Sequence, residues 1–178
     1  MAKCEKIMIC GFSGAGKTSL MRELEFSAPD SSWSFADLDQ LILKSHRDKE
    51  LATVIESHGW EKFRLWERQE LEGWLKDDGP GVISLGGGTL TQLMLDLYKP
   101  IRKIGICHLH APFGDCWERL HLESSEPRPL VKLGKGELHR IYEERMKIFG
   151  QVPWKIENPK GADLTTLAKS FWERVSLS

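Results

Sequence analysis

Apolar residues in this chain follow two spacings. Compact runs, Ile7-Met8-Ile9-Cys10, Val82-Ile83-Ser84-Leu85 and Ile104-Gly105-Ile106-Cys107-His108-Leu109, have the continuity of strands buried on both faces. A shorter strand is expected to end near Ser34-Phe35-Ala36-Asp37, and Trp154-Lys155-Ile156-Glu157 reads as the last. Between them apolar residues recur at helical intervals: after Lys17, at Leu38, Leu41 and Ile42, from Leu51 to Lys76, from Asp115 to Leu122, and from Glu137 to Phe149. The stretch 51–76 is interrupted at His58-Gly59, which predicts two helices there. Residues 163–175 predict a closing amphipathic helix with Leu164, Leu167, Ala168, Phe171 and Val175 on one face. Strands alternating with helices predict an α/β three-layer sandwich, with a central parallel sheet of about five strands and helices on both faces.

The 178 residues suit a single domain, 1–178, able to bury a substantial core without cross-links. A net charge of −1 provides no field for a nucleic-acid backbone, so nucleic acid is not an expected partner. The run before Gly11 is too short for a signal-peptide core or a membrane span, and the expectation is a cytoplasmic monomer without membrane contact. Cys4, Cys10, Cys107 and Cys116 form no C-x-x-C pair and suit core packing better than metal or redox chemistry. His108-Leu109-His110 is too sparse a pattern for a metal site, and the seven tryptophans carry no functional meaning from sequence.

Gly11-Phe12-Ser13-Gly14-Ala15-Gly16-Lys17-Thr18 fits G-x-x-x-x-G-K-[ST], between a strand and a helix, where that motif has to lie. Gly11, Gly14, Ala15 and Gly16 let successive N–H groups turn inward, and the next helix, opening through Ser19, points its positive end at the same spot. Such a cradle holds a polyphosphate. Lys17 is placed to reach the β and γ phosphates and Thr18 to ligate Mg²⁺, which implies ATP and Mg²⁺ as cofactors. A GTPase would carry an N-K-x-D segment, and none is present; Asp78-Gly79-Pro80-Gly81 mimics D-x-x-G but precedes a strand.

Other residues set the acceptor. Asp37 and Asp39 flank Leu38, so in a strand they project to one face, although either also suits a helix N-cap. Arg64 and Glu67 share a helix face at i, i+3, as a fixed guanidinium or as a plain solvated ion pair. Gly86-Gly87-Gly88 leaves bare backbone at the carboxyl edge of the sheet, where ligands of open α/β folds bind, or else forms a flexible turn.

Taken in order, Gly-Phe-Ser-Gly-Ala-Gly-Lys-Thr at 11, Phe-Ala-Asp-Leu-Asp at 35, Phe-Arg-Leu-Trp-Glu at 63, Ser-Leu-Gly-Gly-Gly at 84 and Arg-Pro-Leu at 128 resemble the shikimate kinase family over nearly the whole chain. The resemblance implies ATP-dependent phosphorylation of the 3-hydroxyl of shikimate, a helical substrate-binding segment at about 38–76 and a mobile lid at about 123–136. It gives Asp37 a water-mediated hold on Mg²⁺. It makes Asp39 the residue that orients or deprotonates the attacking hydroxyl, beside Lys17 and Arg128 as catalytic groups. It places Arg64 and Arg145 on the substrate carboxylate, an N–H of the Gly86-Gly87-Gly88 turn on the substrate, Arg128 of the lid on the phosphates, and Arg119 on the adenine. Where the family reads Arg-x-Pro-Leu-Tyr this chain has Arg145-Met-Lys-Ile-Phe, which leaves Arg140 as an alternative clamp. The segment from Arg119 to Arg128 is longer than in typical members. The rival expectations are a kinase for another small acceptor, such as gluconate or a nucleotide, and a non-catalytic ATP-binding descendant. Retention of Asp39 and Arg128 speaks against the second.

Overall fold

A computed structural model describes residues 5–47, 50–122 and 133–177. Strands β1 (Lys6–Cys10), β2 (Ser34–Asp37), β3 (Gly81–Ser84), β4 (Ile104–His110) and β5 (Trp154–Glu157) alternate with helices α1 (Lys17–Phe26), α2 (Leu38–His46), α3 (Leu51–Lys76), α4 (Gln92–Tyr98), α5 (Phe113–Leu122), α6 (Lys135–Phe149) and α7 (Leu164–Leu177). The strands form one five-stranded sheet in the order β2-β3-β1-β4-β5, parallel at every pairing. All five carboxyl ends therefore lie along one edge. The chain reverses its winding direction beside β1, and the crevice opened there is the ligand position of such sheets.

The continuous apolar runs have the burial they imply: β1 and β3 are buried at every residue. One core packs Met8, Ile83 and Ile106 of the sheet against Val54, Phe63, Trp66, Leu71 and Trp74 of α3. The opposite face packs Ile7, Ile9, Val82 and Leu109 against Leu20 and Leu24 of α1 and Phe171, Trp172 and Val175 of α7. Cys10, Cys107 and Cys116 are buried free thiols, held protonated because burial pushes each upward, Cys116 to about 11.

Several expectations shift. Gly59 sits at φ 79 and breaks the helical path of α3, so the interruption lies where the sequence put it. Asp37 ends β2 and caps α2, its carboxylate accepting from Gln40 N at 3.2 Å. Asp39 therefore belongs to the first turn of α2, and strand alternation is not what relates the two carboxylates. Helix α6 begins at Lys135, inside the segment expected as lid; residues 123–132, with Arg128, lie outside the described residues. Helix α4 was not legible beforehand: it is short, and its signal is the Thr91 cap accepting from Met94 N at 3.3 Å. Among the described residues no helix is long and apolar enough to cross a membrane.

Candidate active site

The carboxyl ends of β1, β2 and β3 contribute to one cleft. The loop Gly11–Gly16 runs from β1 into α1, with Gly14 and Gly16 at φ 81 and 92, a left-handed backbone that side chains resist. A methyl on Gly14 would come within 2.5 Å of the Cys116 carbonyl, so the crest of the loop is pressed onto α5. Phe12 packs edge-on against Tyr142, ring centroids 5.2 Å apart, and anchors the loop's root. The Lys17 ammonium donates to the carbonyls of Gly11 (2.8 Å) and Phe12 (3.1 Å), which holds it over the loop. Thr18 and Ser19 are exposed in the first turn of α1.

The glycine turn after β3 lies against this loop: a methyl on Gly87 would sit 2.6 Å from Ser13 Oγ. Its neighbours reach the other side groups. A methyl on Gly86 would be 3.1 Å from Asp39 Oδ1 and 3.4 Å from Glu67 Oε1; one on Gly88 would be 2.8 Å from Arg64 Nη2 and 3.0 Å from Arg145 Nη2. Any side chain here would fill the space the carboxylate and guanidinium groups border. Arg140 is directed elsewhere, exposed and bonded to Glu137 and Glu144.

Arg64 is held on several sides. It pairs with Glu67, which is buried and accepts also from the Thr89 hydroxyl. Its guanidinium lies 5.3 Å from the Trp60 ring centre and 5.8 Å from that of Phe63, a geometry in which aromatic faces attract a cation. Trp60 is half exposed and directly follows the Gly59 break, so the kink sets its position. Thr89 and Trp60 were not singled out in the sequence; the G-W-x-x-F-R spacing, with Trp60 and Arg64 four apart on a helix, was the available signal.

Charge is concentrated in the cleft. Burial, then the charges of Asp37 and Glu67, raise Asp39 to about 6 against the pull of Lys17 and Arg64. Burial and the Arg64 charge lower Arg145, with Glu144 and Glu67 opposing. The cleft thus combines an amide-lined anion loop, a carboxylate poised near neutrality and two guanidinium groups on a bare turn. Those parts can bind polyphosphate, take a proton from a hydroxyl and grip a second anion. Arg119 donates to the carbonyls of Gly14 (3.4 Å) and Asn158 (3.1 Å), behind the loop. For Mg²⁺, Thr18 and Asp37 offer the hard oxygen donors that cation takes; no cluster of three or more His, Cys, Asp or Glu able to hold a metal occurs among the described residues.

The family model for shikimate kinase matches residues 13–175. The shikimate kinase of Dictyoglomus turgidum is 30% identical over 169 residues, covering 93% of this chain and 94% of its own. That of Lactococcus lactis is 29% identical over 146 residues, 82% of this chain and 83% of its own. Among solved structures, shikimate kinase from Acinetobacter baumannii in complex with shikimate superposes with a TM-score of 0.82 at 24% identity, over 97% of this chain and 93% of that one.

Proposed function

This chain belongs to the shikimate kinase family, and we propose that the cleft described above performs the family's reaction, transfer of the γ-phosphoryl group of ATP to the 3-hydroxyl of shikimate. The observation that carries this is the convergence of Asp39, Arg64 and Arg145 on the Gly86-Gly87-Gly88 turn, itself packed on the Gly11–Gly16 loop. Acceptor and nucleotide groups so placed share one cleft.

The roles follow from the chemistry of each group. N–H groups of the loop and the start of α1 bind the phosphates, and Lys17 leaves the carbonyls of Gly11 and Phe12 to meet charge developing between β and γ phosphates. Arg64 and Arg145 take the acceptor carboxylate, the planar forks fixing its orientation. Asp39, raised by burial and then by the charges of Asp37 and Glu67 into the range of a working base, aligns the acceptor hydroxyl and receives its proton as the new bond forms. Thr18 and Asp37 would hold Mg²⁺, which supplies neutralising charge to the phosphate oxygens. Arg128, by its place in the sequence, is assigned to the phosphates as a lid cation, and Arg119 to the adenine in addition to its bonds behind the loop. The protein works as a single-domain monomer on a small-molecule acceptor, without nucleic acid or membrane.

A coupled ADP-release assay with shikimate, gluconate and nucleoside monophosphates as acceptors tests this. ADP release dependent on shikimate is expected. Release dependent on another acceptor, with shikimate inert, would overturn the assignment.

A further inference from the structure

Asn158 stands one residue beyond β5, at the carboxyl edge of the sheet, and is 4% exposed. Its N–H donates to His110 O at 2.7 Å, continuing the β4–β5 ladder by one bond. Its carbonyl accepts from Arg119 Nη2 at 3.1 Å. Its side-chain amide crosses to the phosphate loop, Nδ2 donating to Ala15 O at 2.8 Å. A carbonyl can only accept, so the amide nitrogen is the atom that must face it. Gly16 is packed directly on this side chain: a methyl there would collide with Nδ2.

The Ala15 carbonyl shares a peptide plane with the Gly16 N–H, and a trans peptide points the two in opposite directions; no cis bond occurs among the described residues. Drawing Ala15 O back onto Asn158 therefore turns the Gly16 N–H forward, into the loop. The preceding N–H, of Ala15, is already committed to Phe12 O at 3.0 Å, which makes the orientation of the next one matter more.

Resting on the assignment of residues 11–18 to ATP, we propose that Asn158 is a positioning residue for the nucleotide: through Ala15 O it holds the Ala15–Gly16 peptide with its N–H aimed at the bound phosphates, and with Arg119 it braces the loop from behind. Asn158 lies 143 residues from Ala15 and touches no reacting atom.

Asn158→Asp keeps the shape but replaces the donor with a charged acceptor facing Ala15 O. Titration calorimetry with ATP and, separately, with shikimate reads the effect without turnover. Expected is a loss of ATP affinity of at least about tenfold near neutral pH, the scale of a charge-assisted bond reversed, with shikimate affinity changed by less than about twofold. Protonating the introduced carboxyl restores a donor, so the ATP deficit relative to the parent should narrow as pH falls toward about 4, which a purely structural defect would not do. Asn158→Ala, a milder version, supplies the same comparison if the charged variant does not fold. Parental ATP affinity in either folded variant, or equal losses for both ligands, would overturn the role of Asn158 alone. Failure of the parent itself to bind ATP would overturn the functional assignment and this inference with it.

Discussion

Arg64 of α3 and Arg145 of α6 direct their guanidinium groups at the same point, each Nη2 within 3.0 Å of where a side chain on Gly88 would begin. Two cations this close repel, and the pKa of Arg145 is lowered first by burial and then by the Arg64 charge. An anion between them relieves that repulsion, which a neutral ligand cannot do.

Replacing Arg64 by Lys substitutes a point charge for a planar fork. KM for shikimate should rise at least about tenfold, the scale of losing a bidentate charged bond, while ATP affinity moves by less than about twofold. Shikimate alone should raise the melting temperature of the parent and do so less for the variant. Equal losses for both ligands would count against a carboxylate clamp.

The Asp39 carboxyl titrates near 6 instead of 3.8, so the acid limb of kcat/KM should fall near that value. Asp39→Asn should lower turnover at least about a hundredfold and remove the limb. Its stability effect has the opposite sign. A carboxyl whose folded pKa is raised destabilises the fold above that pKa and has no such effect below its unfolded value. The variant should therefore unfold at higher denaturant than the parent at neutral pH, with the gap closing as pH falls below 3.8. A parental pH profile in the variant would remove Asp39 from the role of base.

Lys17→Ala leaves the Gly11 and Phe12 carbonyls to solvent but takes no apolar group from the core. Turnover should fall by roughly 10²–10³-fold or more, since a preorganised charge at the transferring group is lost. The melting temperature should change little. Normal turnover by the folded variant would refute the assignment of the loop.

His108 lies on β4 with both ring nitrogens buried and without a hydrogen-bond partner among the described residues, its ring 5.0 Å from that of Phe149. Burial, with the charges of His110, Lys155 and Lys17, lowers it from 6.5 to about 4, with Glu157 opposing. The unfolded chain therefore binds that proton more tightly, and stability is full above 6.5 and declines as pH falls toward 4. His108→Phe removes an unsatisfied polar group and should stabilise by about 1–3 kcal/mol, the usual cost of leaving one buried, and more so at acid pH. Denaturant unfolding at several pH values measures both, and a variant less stable than the parent throughout would show that the imidazole has a partner of its own.

Where a feature depends on neighbours along the chain, it was legible beforehand. The phosphate loop is one stretch of eight residues, Gly11 to Thr18, whose glycines and lysine act on each other's backbone; the buried strands announce themselves by unbroken apolar runs. Glu67 three residues from Arg64 was visible as a partner for the same reason. Helix α4 escapes because seven residues hold too little periodicity, and the relation of Asp37 to Asp39 escapes because residue alternation says nothing of where β2 stops.

What the sequence by itself determined is thus the order of the strands and of every helix but α4, the nucleotide loop and the set of residue types that face it. Only the tertiary structure decided which of them meet. Thr89 reaches Glu67 across 22 residues, Tyr142 reaches His110 across 32, and Asn158 reaches Ala15 across 143. It also set Arg145 apart from Arg140 on the same helix: the packing of α6 sends one to Gly88 and leaves the other among surface carboxylates. The reason is that a parallel sheet brings its strands' carboxyl ends together whatever their separation along the chain, and the contacts made there depend on strand order and helix docking. Those are set by burying apolar surface throughout the molecule, and no local stretch of sequence contains that information.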